Sequence, residues 1–461
     1  MRRPTALFFV LLTALLAIVG GSSCSGRGHH DVAAEHSLPD TLRAVTLYSP
    51  LSYFLYRGEA MGYDYTLLDS LARQKGMVLD LKVVKSLSSA VAMLDSGKVD
   101  LIAYQVPITE HYKKYVVPCG PENLNYQVLV QPKVHGAAPI TDITELVGKE
   151  VYVEKDSKYY RRMKNLNDEI GGGIIVTEVD GDTLVAEDLI AMVSDGKIPL
   201  TVVDCDVARL NKTYFPDLDV DMPVSFEQRA AWAVAPDKKW LADSIDSWFE
   251  GASPQQVNAD LLKRYFEQTK ATTNVNFDFS KGYISKYDNL FKKYAPTIGW
   301  DWRMLAAQAF VESRFRPNAR SWVGARGLMQ IMPSTARGYR TSVAKLGNPD
   351  VSLNVATKLI RDLDSCLLKY VPSDKERLKF VMAAYNVGIA HVYDAIALAK
   401  KYGLDPQVWD GNVSKALLMK MNPKYFNDPV VKYGYCRGTE TVAYVKGITE
   451  FYEHARREIT A

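Results

Sequence analysis

Cysteine is scarce in this sequence: Cys24, Cys119, Cys205, Cys366 and Cys436 are the only five in 461 residues. No two stand at the spacing of a metal knuckle or a redox CxxC, which leaves structural thiols, or one or two disulfides, and points to no bound metal and no cofactor. Long apolar runs are also missing. The longest notable one, Ala6 to Val19, is short for a membrane span and follows Arg2 and Arg3, the pattern of a signal sequence that is removed. A strong overall charge is absent as well, with 56 Lys and Arg against 53 Asp and Glu. What the chain does have is 47% hydrophobic and 24% charged residues, enough for two or three compact domains and unlike a disordered composition.

The apolar run leads into Gly21-Ser22-Ser23-Cys24. Small residues before a cysteine resemble the lipobox of bacterial lipoproteins, with Gly21 where leucine is usual. The resemblance implies lipid on Cys24 and a membrane attachment made through acyl chains. Ser25 after the cysteine fits the outer membrane, with the polypeptide facing the periplasm. The near-neutral total hides an asymmetry: from Val275 onward there are 28 basic and 17 acidic residues, and before it 28 basic and 36 acidic. A basic C-terminal part outside the cytoplasm suits an anionic cell-wall polymer better than nucleic acid, although a plain solvated basic face reads the same way.

Hydrophobic periodicity divides the chain into a signal peptide (1–23), a tether (24–39), a first domain (40–268), a linker (269–281) and a second domain (282–461). In the first domain LRAVTLYS, LDLKVVK and VDLIAYQV read as strands and YDYTLLDSLARQKGM and SAVAMLDSGK as helices. This β-α-β-α-β order predicts a parallel sheet with right-handed crossovers. A second such unit follows, in KEVYVEKDS, YYRRMKNL, GGIIVTEV, LVAEDLIAMVSDGK and LTVVDCD. NLNYQVLVQPK carries the chain between the two lobes and AAWAV brings it back, so a cleft is expected between them. ATTNVNFDFSK, at 271 to 281, is polar and aperiodic. From Tyr283 onward helical patterns broken by Gly and Pro predict an all-α domain.

The blocks LDSGKVDLIAYQVPITEHYKKYVVPCGP and ITELVGKEVYVEKDSKYY resemble the periplasmic solute-binding proteins of family 3. The resemblance covers about residues 40 to 268 and implies a two-lobed α/β fold with a regulatory ligand, muropeptide or amino-acid-like, in the cleft. Members that bind amino acids usually carry Arg three residues after the Thr of this motif, gripping an α-carboxylate. Here Tyr112 follows Thr109 at that spacing, and a phenol cannot replace a guanidinium. By the same resemblance Asp204 aligns with an acidic residue near a ligand's amino group and Ser157 with a lobe-two hydroxyl. Each is equally readable as a strand-end turn residue or a helix cap.

In the second domain, the helix starting near Asp301 has apolar residues at Trp302, Leu305 and Ala309, and the next step of that spacing is Glu312. A carboxylate therefore falls where burial is expected. Burial disfavours its ionised form, which suits a general acid. Alone, such a glutamate is more often a helix-end charge or a paired structural acid.

Its neighbours carry more. ES at 312–313, GARGLMQIMP at 324–333, AAYNVG at 383–388 and ETVAYV at 440–445 occur in order over about 180 residues and resemble the soluble lytic transglycosylases, with a goose-type lysozyme-like fold. Behind a solute-binding module, the whole is similar to the membrane-bound lytic transglycosylase F family. The resemblance implies that Glu312 is the single acid/base residue acting on peptidoglycan strands. It also implies that Ser321 positions the N-acetyl group, that Gln330 and Met332 form the cleft wall, and that Tyr385 bonds near the acid or the N-acetyl group. Asn386 would brace the loop and Glu440 would bind the sugar or peptide side. Met332 also reads as simple packing. Gly324 and Gly327 are expected to let the backbone turn tightly and approach the sugar.

Three functions compete on these residues. The first is a lyase leaving 1,6-anhydro ends under control of the N-terminal module. The second is a hydrolytic muramidase, which requires a second carboxylate such as Glu440 or Asp301. The third is a binding or sensing lipoprotein with an inert helical domain.

Overall fold

The computed structural model describes residues 38–133, 138–155, 157–180, 184–267 and 282–459. Cys24, the expected signal sequence and the 271–281 linker lie outside them. Among the described residues no helix is long and apolar enough to cross a membrane, and Cys119, Cys205, Cys366 and Cys436 are free thiols.

Lobe one is built on β1 (Thr41–Leu47), a hairpin of β2 (Phe54–Tyr56) and β3 (Glu59–Met61), β4 (Val78–Val84), β5 (Leu101–Pro107) and β6 (Val117–Asn125). Lobe two has β7 (Gln127–Pro132), β8 (Glu150–Glu154), β9 (Ile175–Val179), β10 (Thr201–Asp204) and β11 (Leu218–Asp219), and β12 (Gln228–Val234) returns to lobe one. The first sheet runs β4-β1-β5-β12-β6 and the second β11-β7-β10-β8-β9. Within each sheet the three strands of the β-α-β-α-β unit pair in parallel, and one strand opposes the other four: β12 runs antiparallel to β5 and β6, and β7 to β10 and β11. The two strands on which the chain enters a lobe from the other, β7 and β12, are thus the ones that depart from the expected parallel order. They arrive by direct crossing, without a helix to reverse their direction.

The local chemistry follows the pattern. Leu42, Ala44 and Val45 of β1 are fully buried, and the Tyr63–Gln74 helix turns Leu67, Leu68, Leu71 and Ala72 onto the sheet. A buried charge sits inside this apolar layer. Asp64 accepts from Trp232 Nε1 (2.8 Å), Ser52 Oγ (2.7 Å) and Gln105 Nε2 (3.2 Å). Burial pushes its carboxyl up, and the three donors pull against that.

The C-terminal domain is helical throughout its described elements. Its core gathers around the Trp302–Ser313 helix, in which every residue from Trp302 to Phe310 is buried. The expected apolar stripe is therefore a helix buried on all sides, with Phe310 against Phe451 of the Gly438–Glu458 helix at 4.8 Å. Asp301 caps its start by accepting from Arg303 N, and Arg314 ends it in the left-handed region at φ 53°.

The three layers are in contact. Met421 and Tyr435 of the helical domain belong to the apolar core of lobe one, with Trp322, Val323 and Phe426 packed beside it. On lobe two, Tyr435 O–H donates to Glu187 (3.0 Å), and the Arg437 guanidinium donates to Asn211 (2.8 Å) and lies 3.7 Å from the centre of the Tyr214 ring.

Replacing Trp232 by Phe removes both buried volume and the shortest nitrogen donor to a buried carboxylate. We expect Trp232→Phe to cost about 2–4 kcal/mol, read as a lower denaturation midpoint of the N-terminal domain.

Candidate active site

Glu312 stands on the last turn of the Trp302–Ser313 helix, with a side chain only 3% exposed. Two side chains reach it, through three hydrogen bonds. Tyr444 O–H donates to Oε1 at 2.7 Å, and Arg57 Nη2 donates to Oε1 at 3.1 Å and to Oε2 at 3.0 Å. Burial pushes the carboxyl above its usual range, while Arg57 and the Tyr444 hydroxyl pull it back toward the ionised form. That form has no proton to give.

Arg57 comes from lobe one, 255 residues away. It is the first central residue of the β2–β3 turn, with φ 52° at Arg57 and 79° at Gly58, the two positive values of a type I′ hairpin. A non-glycine residue in the left-handed region costs about 1–2 kcal/mol, and here that strain aims the guanidinium outward from the tip. Arg57 Nη1 donates to the Gln330 carbonyl (2.8 Å), its backbone N–H to Val387 O (3.1 Å), and Tyr56 O–H to Glu440 (3.1 Å). Ser334 O–H donates to Glu59. Gly388, φ 97°, permits the close fit, since a Cβ there would lie 3.0 Å from Gly58 N.

Beneath the hairpin lies a buried charged group. His391 Nε2 bonds to Leu55 O (3.0 Å), Lys420 Nζ to His391 Nδ1 (2.8 Å) and Lys420 Nζ to Asp394 (2.6 Å). An ammonium only donates and a carbonyl only accepts, so His391 is neutral with its proton on Nε2. Burial, then Lys420, holds its pKa well below the ordinary value. A cavity of about 170 Å³ remains beside the tip, lined by Arg57, Met332, Thr335, Leu359, Tyr385 and Ile389.

Of the residues singled out in the helical domain, Gln330, Met332 and Tyr385 line this cavity. Gln330 is buried, and its amide donates to Ala319 O (3.1 Å) and Gly327 O (2.8 Å) within its own loop. Tyr385 O–H donates to Met329 O at 2.8 Å, not to the acid, and its ring centre lies 5.8 Å from the Arg57 guanidinium carbon. Met332 is buried. Asn386 accepts from Thr441 O–H at 2.7 Å and so ties two helices together. Ser321 Oγ accepts from Ala325 N at 3.0 Å, closing its own turn. Gly327 (φ 86°) faces Leu346, whose carbonyl would stand 2.1 Å from an added Cβ, so its close approach is to backbone and not to the groove.

Among the N-terminal candidates, Ser157 caps the Lys158–Glu169 helix by accepting from Tyr160 N, and Asp204 pairs with Lys158. Thr109 O accepts from Tyr112 N (3.0 Å), and Tyr112 packs on His111. Asp206, beside Asp204, is pushed up to about 6, chiefly by burial and then by that neighbouring carboxylate.

Tyr56, Arg57 and Tyr444 were not singled out in the sequence. The signal for the first two is the Arg57-Gly58 pair between FLY and EAM, a two-residue hairpin turn. That for Tyr444 is its place four residues after Glu440, on the same helix face. Asp301 opens the acid helix and Glu312 stands near its end, about 16 Å apart at 1.5 Å per residue. Two carboxylates that share a sugar lie within about 10 Å of each other.

A helical domain with a buried glutamate at the end of its central helix, behind a two-lobed binding fold, is the organisation of a peptidoglycan lytic transglycosylase. The transglycosylase SLT domain model matches residues 289–407, and that of the bacterial extracellular solute-binding proteins, family 3, matches 42–268. Membrane-bound lytic murein transglycosylase F of Aeromonas hydrophila is 31% identical over 96% of this chain and 87% of its own. The protein of that name from Aeromonas salmonicida is 32% identical over 89% and 81%. The chain belongs to the membrane-bound lytic murein transglycosylase F family. Among solved structures, substrate-binding domain 2 of Lactococcus lactis GlnP, in the open conformation, is similar over 50% of this chain and 98% of that one, at 16% identity and a TM-score of 0.43.

Removing the cation from Glu312 leaves burial with less opposition. We expect Arg57→Ala to raise the carboxyl's titration midpoint by about one unit or more, followed by carbon-13 NMR of labelled glutamate and assigned by loss of the signal in Glu312→Gln.

Proposed function

We propose that this protein cleaves the MurNAc-GlcNAc β-1,4 bond of peptidoglycan without water, leaving 1,6-anhydroMurNAc ends, and that its N-terminal module governs access to the acid. The observation that carries the reading is the buried carboxyl of Glu312 in contact with the tip of a hairpin from the binding module.

In this mechanism protonated Glu312 gives its proton to the bridging oxygen as the C1–O bond breaks, and the substrate's N-acetyl carbonyl supports the positive charge at C1. The C6 hydroxyl then closes on C1 and returns its proton to the same carboxylate. Atoms and protons balance with no water consumed, so one acid/base residue suffices. Ser321, Gln330, Met332, Tyr385 and Glu440 form the substrate side and Asn386 the brace. Glu440, released from Tyr56, takes up the sugar or peptide.

The hairpin-bound arrangement is the resting state in this reading. A ligand in the cleft near Thr109, Tyr112, Ser157 and Asp204 acts by favouring a lobe arrangement in which Arg57 has withdrawn, because a ligand shifts only equilibria between states it binds differently. An ammonium group of a muropeptide would compete with Lys158 for Asp204. The domains follow the boundaries given above, with residues 1–23 as signal and Cys24 as the lipidated residue. The protein is then held at the outer membrane and faces the periplasm.

We expect Glu312→Gln to retain the fold and lose turnover by a factor of at least about 1,000, since an amide neither donates as an acid nor accepts as a base. Mass spectrometry of digested sacculi reads the outcome. Products one water lighter than reducing ends are expected from the wild type, whereas reducing ends would assign hydrolysis. We further expect Arg57→Ala to raise basal turnover and to carry the alkaline limb of its pH profile upward, because the working form is the protonated acid. A limb that moves downward would contradict this role for Arg57.

A further inference from the structure

Gln308 and Glu312 are four residues apart on the acid helix, so both face Tyr444 on the Gly438–Glu458 helix. Gln308 is fully buried, and its Nε2 donates to the Tyr444 hydroxyl oxygen at 3.2 Å. Among the described residues its Oε1 has no hydrogen-bond partner. A buried amide with an unmet acceptor carries a desolvation penalty that a methionine or leucine in the same space would not incur. The amide nevertheless has a definite effect on its neighbour. With Gln308 N–H on the oxygen of Tyr444, the phenol proton cannot turn back toward Gln308, where it would meet another donor. It points at Oε1 of Glu312, 2.7 Å away.

A carboxyl that acts as acid and then base has two oxygens on which to carry its proton. A hydrogen on Oε1 would oppose the Tyr444 hydrogen, whereas a hydrogen on Oε2 would oppose only Arg57, which the proposed mechanism removes. We infer that Gln308 and Tyr444 form a one-way donor chain that confines the transferable proton of Glu312 to Oε2. Both are positioning residues: Tyr444 acts on the acid directly and Gln308 acts through Tyr444. The inference rests on the acid/base reading of Glu312 for its consequence in catalysis, but the hydrogen-bond chain itself can be measured without turnover.

The test uses the full chain in the Arg57→Ala background, where Tyr444 is the remaining donor to Glu312 among the described residues. Titration of Glu312 by carbon-13 NMR is compared for the parent, Tyr444→Phe, Gln308→Met and the double variant, with turnover of soluble glycan strands measured alongside. Tyr444→Phe takes a donor from the carboxylate, so the midpoint is expected to rise by about half a unit to one unit, and kcat to fall about 10- to 100-fold with KM little changed. Gln308→Met is expected to lower kcat by a smaller factor, about 3- to 10-fold. Because the two act in series through one hydroxyl, the double variant should titrate and turn over like Tyr444→Phe alone. Losses that multiply in the double variant, or a Glu312 midpoint unmoved by Tyr444→Phe, would overturn the inference. Reducing ends from the parent, with the expected titration pattern, would instead reject the lyase mechanism and leave the donor chain standing.

Discussion

The contact between Arg57 and Glu312 is the constraint around which the rest of the molecule is arranged. Two opposite charges, each with a side chain no more than 10% exposed, meet at 3.0 Å across the junction of two domains. A buried pair of this kind is close to break-even in free energy, because the Coulomb gain is set against the desolvation of both ions. Separating the partners within the protein would leave a bare buried charge. Separating them by withdrawing the hairpin, as proposed, would return the Arg57 guanidinium to water and leave the Glu312 carboxyl to take up a proton, so the contact is firm while the domains are docked and inexpensive to undo as a unit. A wholly apolar plug would need its greasy surface exposed on opening, and would hold the groove shut more tightly.

The surrounding contacts give that unit its edges. Tyr56 on Glu440 and Ser334 on Glu59 flank the tip, while Leu55 rests on a neutral His391 that Lys420 and Asp394 hold in place. Lobe two joins the same assembly farther out, where Tyr435 and Arg437 reach Glu187, Asn211 and Tyr214 just before the helix that carries Glu440 and Tyr444. Both lobes therefore touch the stretch of chain that leads into the groove. A change in the angle between lobes has a physical route to the acid through residues 435–444, as well as through the hairpin.

Much of the architecture was legible in the residues. Strand and helix order in the two lobes followed from short alternating runs, and the single carboxylate on a buried helix followed from the step from Ala309 to Glu312. The short hairpin was not legible as a functional element, because FLY and EAM are three residues each and carry no long periodicity. Local patterns also say little about which partners a polar side chain takes. Tyr385 and Gln330 turn to carbonyls of the loop through 319–329, and Gly327 makes room for Leu346. The pairing of Arg57 with Glu312 has no signature of its own, since it joins residues 255 apart and depends on how two separately patterned domains dock.

The central claim is that turnover requires the hairpin to leave the groove. It is tested most directly by tethering the hairpin where it sits, with Glu59→Cys and Ser334→Cys joined by a short reducible crosslinker in a chain whose exposed Cys366 is replaced by Ser. The account predicts that the tethered protein releases no product from peptidoglycan and that reduction restores activity to the level of the untethered double variant. Undiminished cleavage with the tether intact would contradict it.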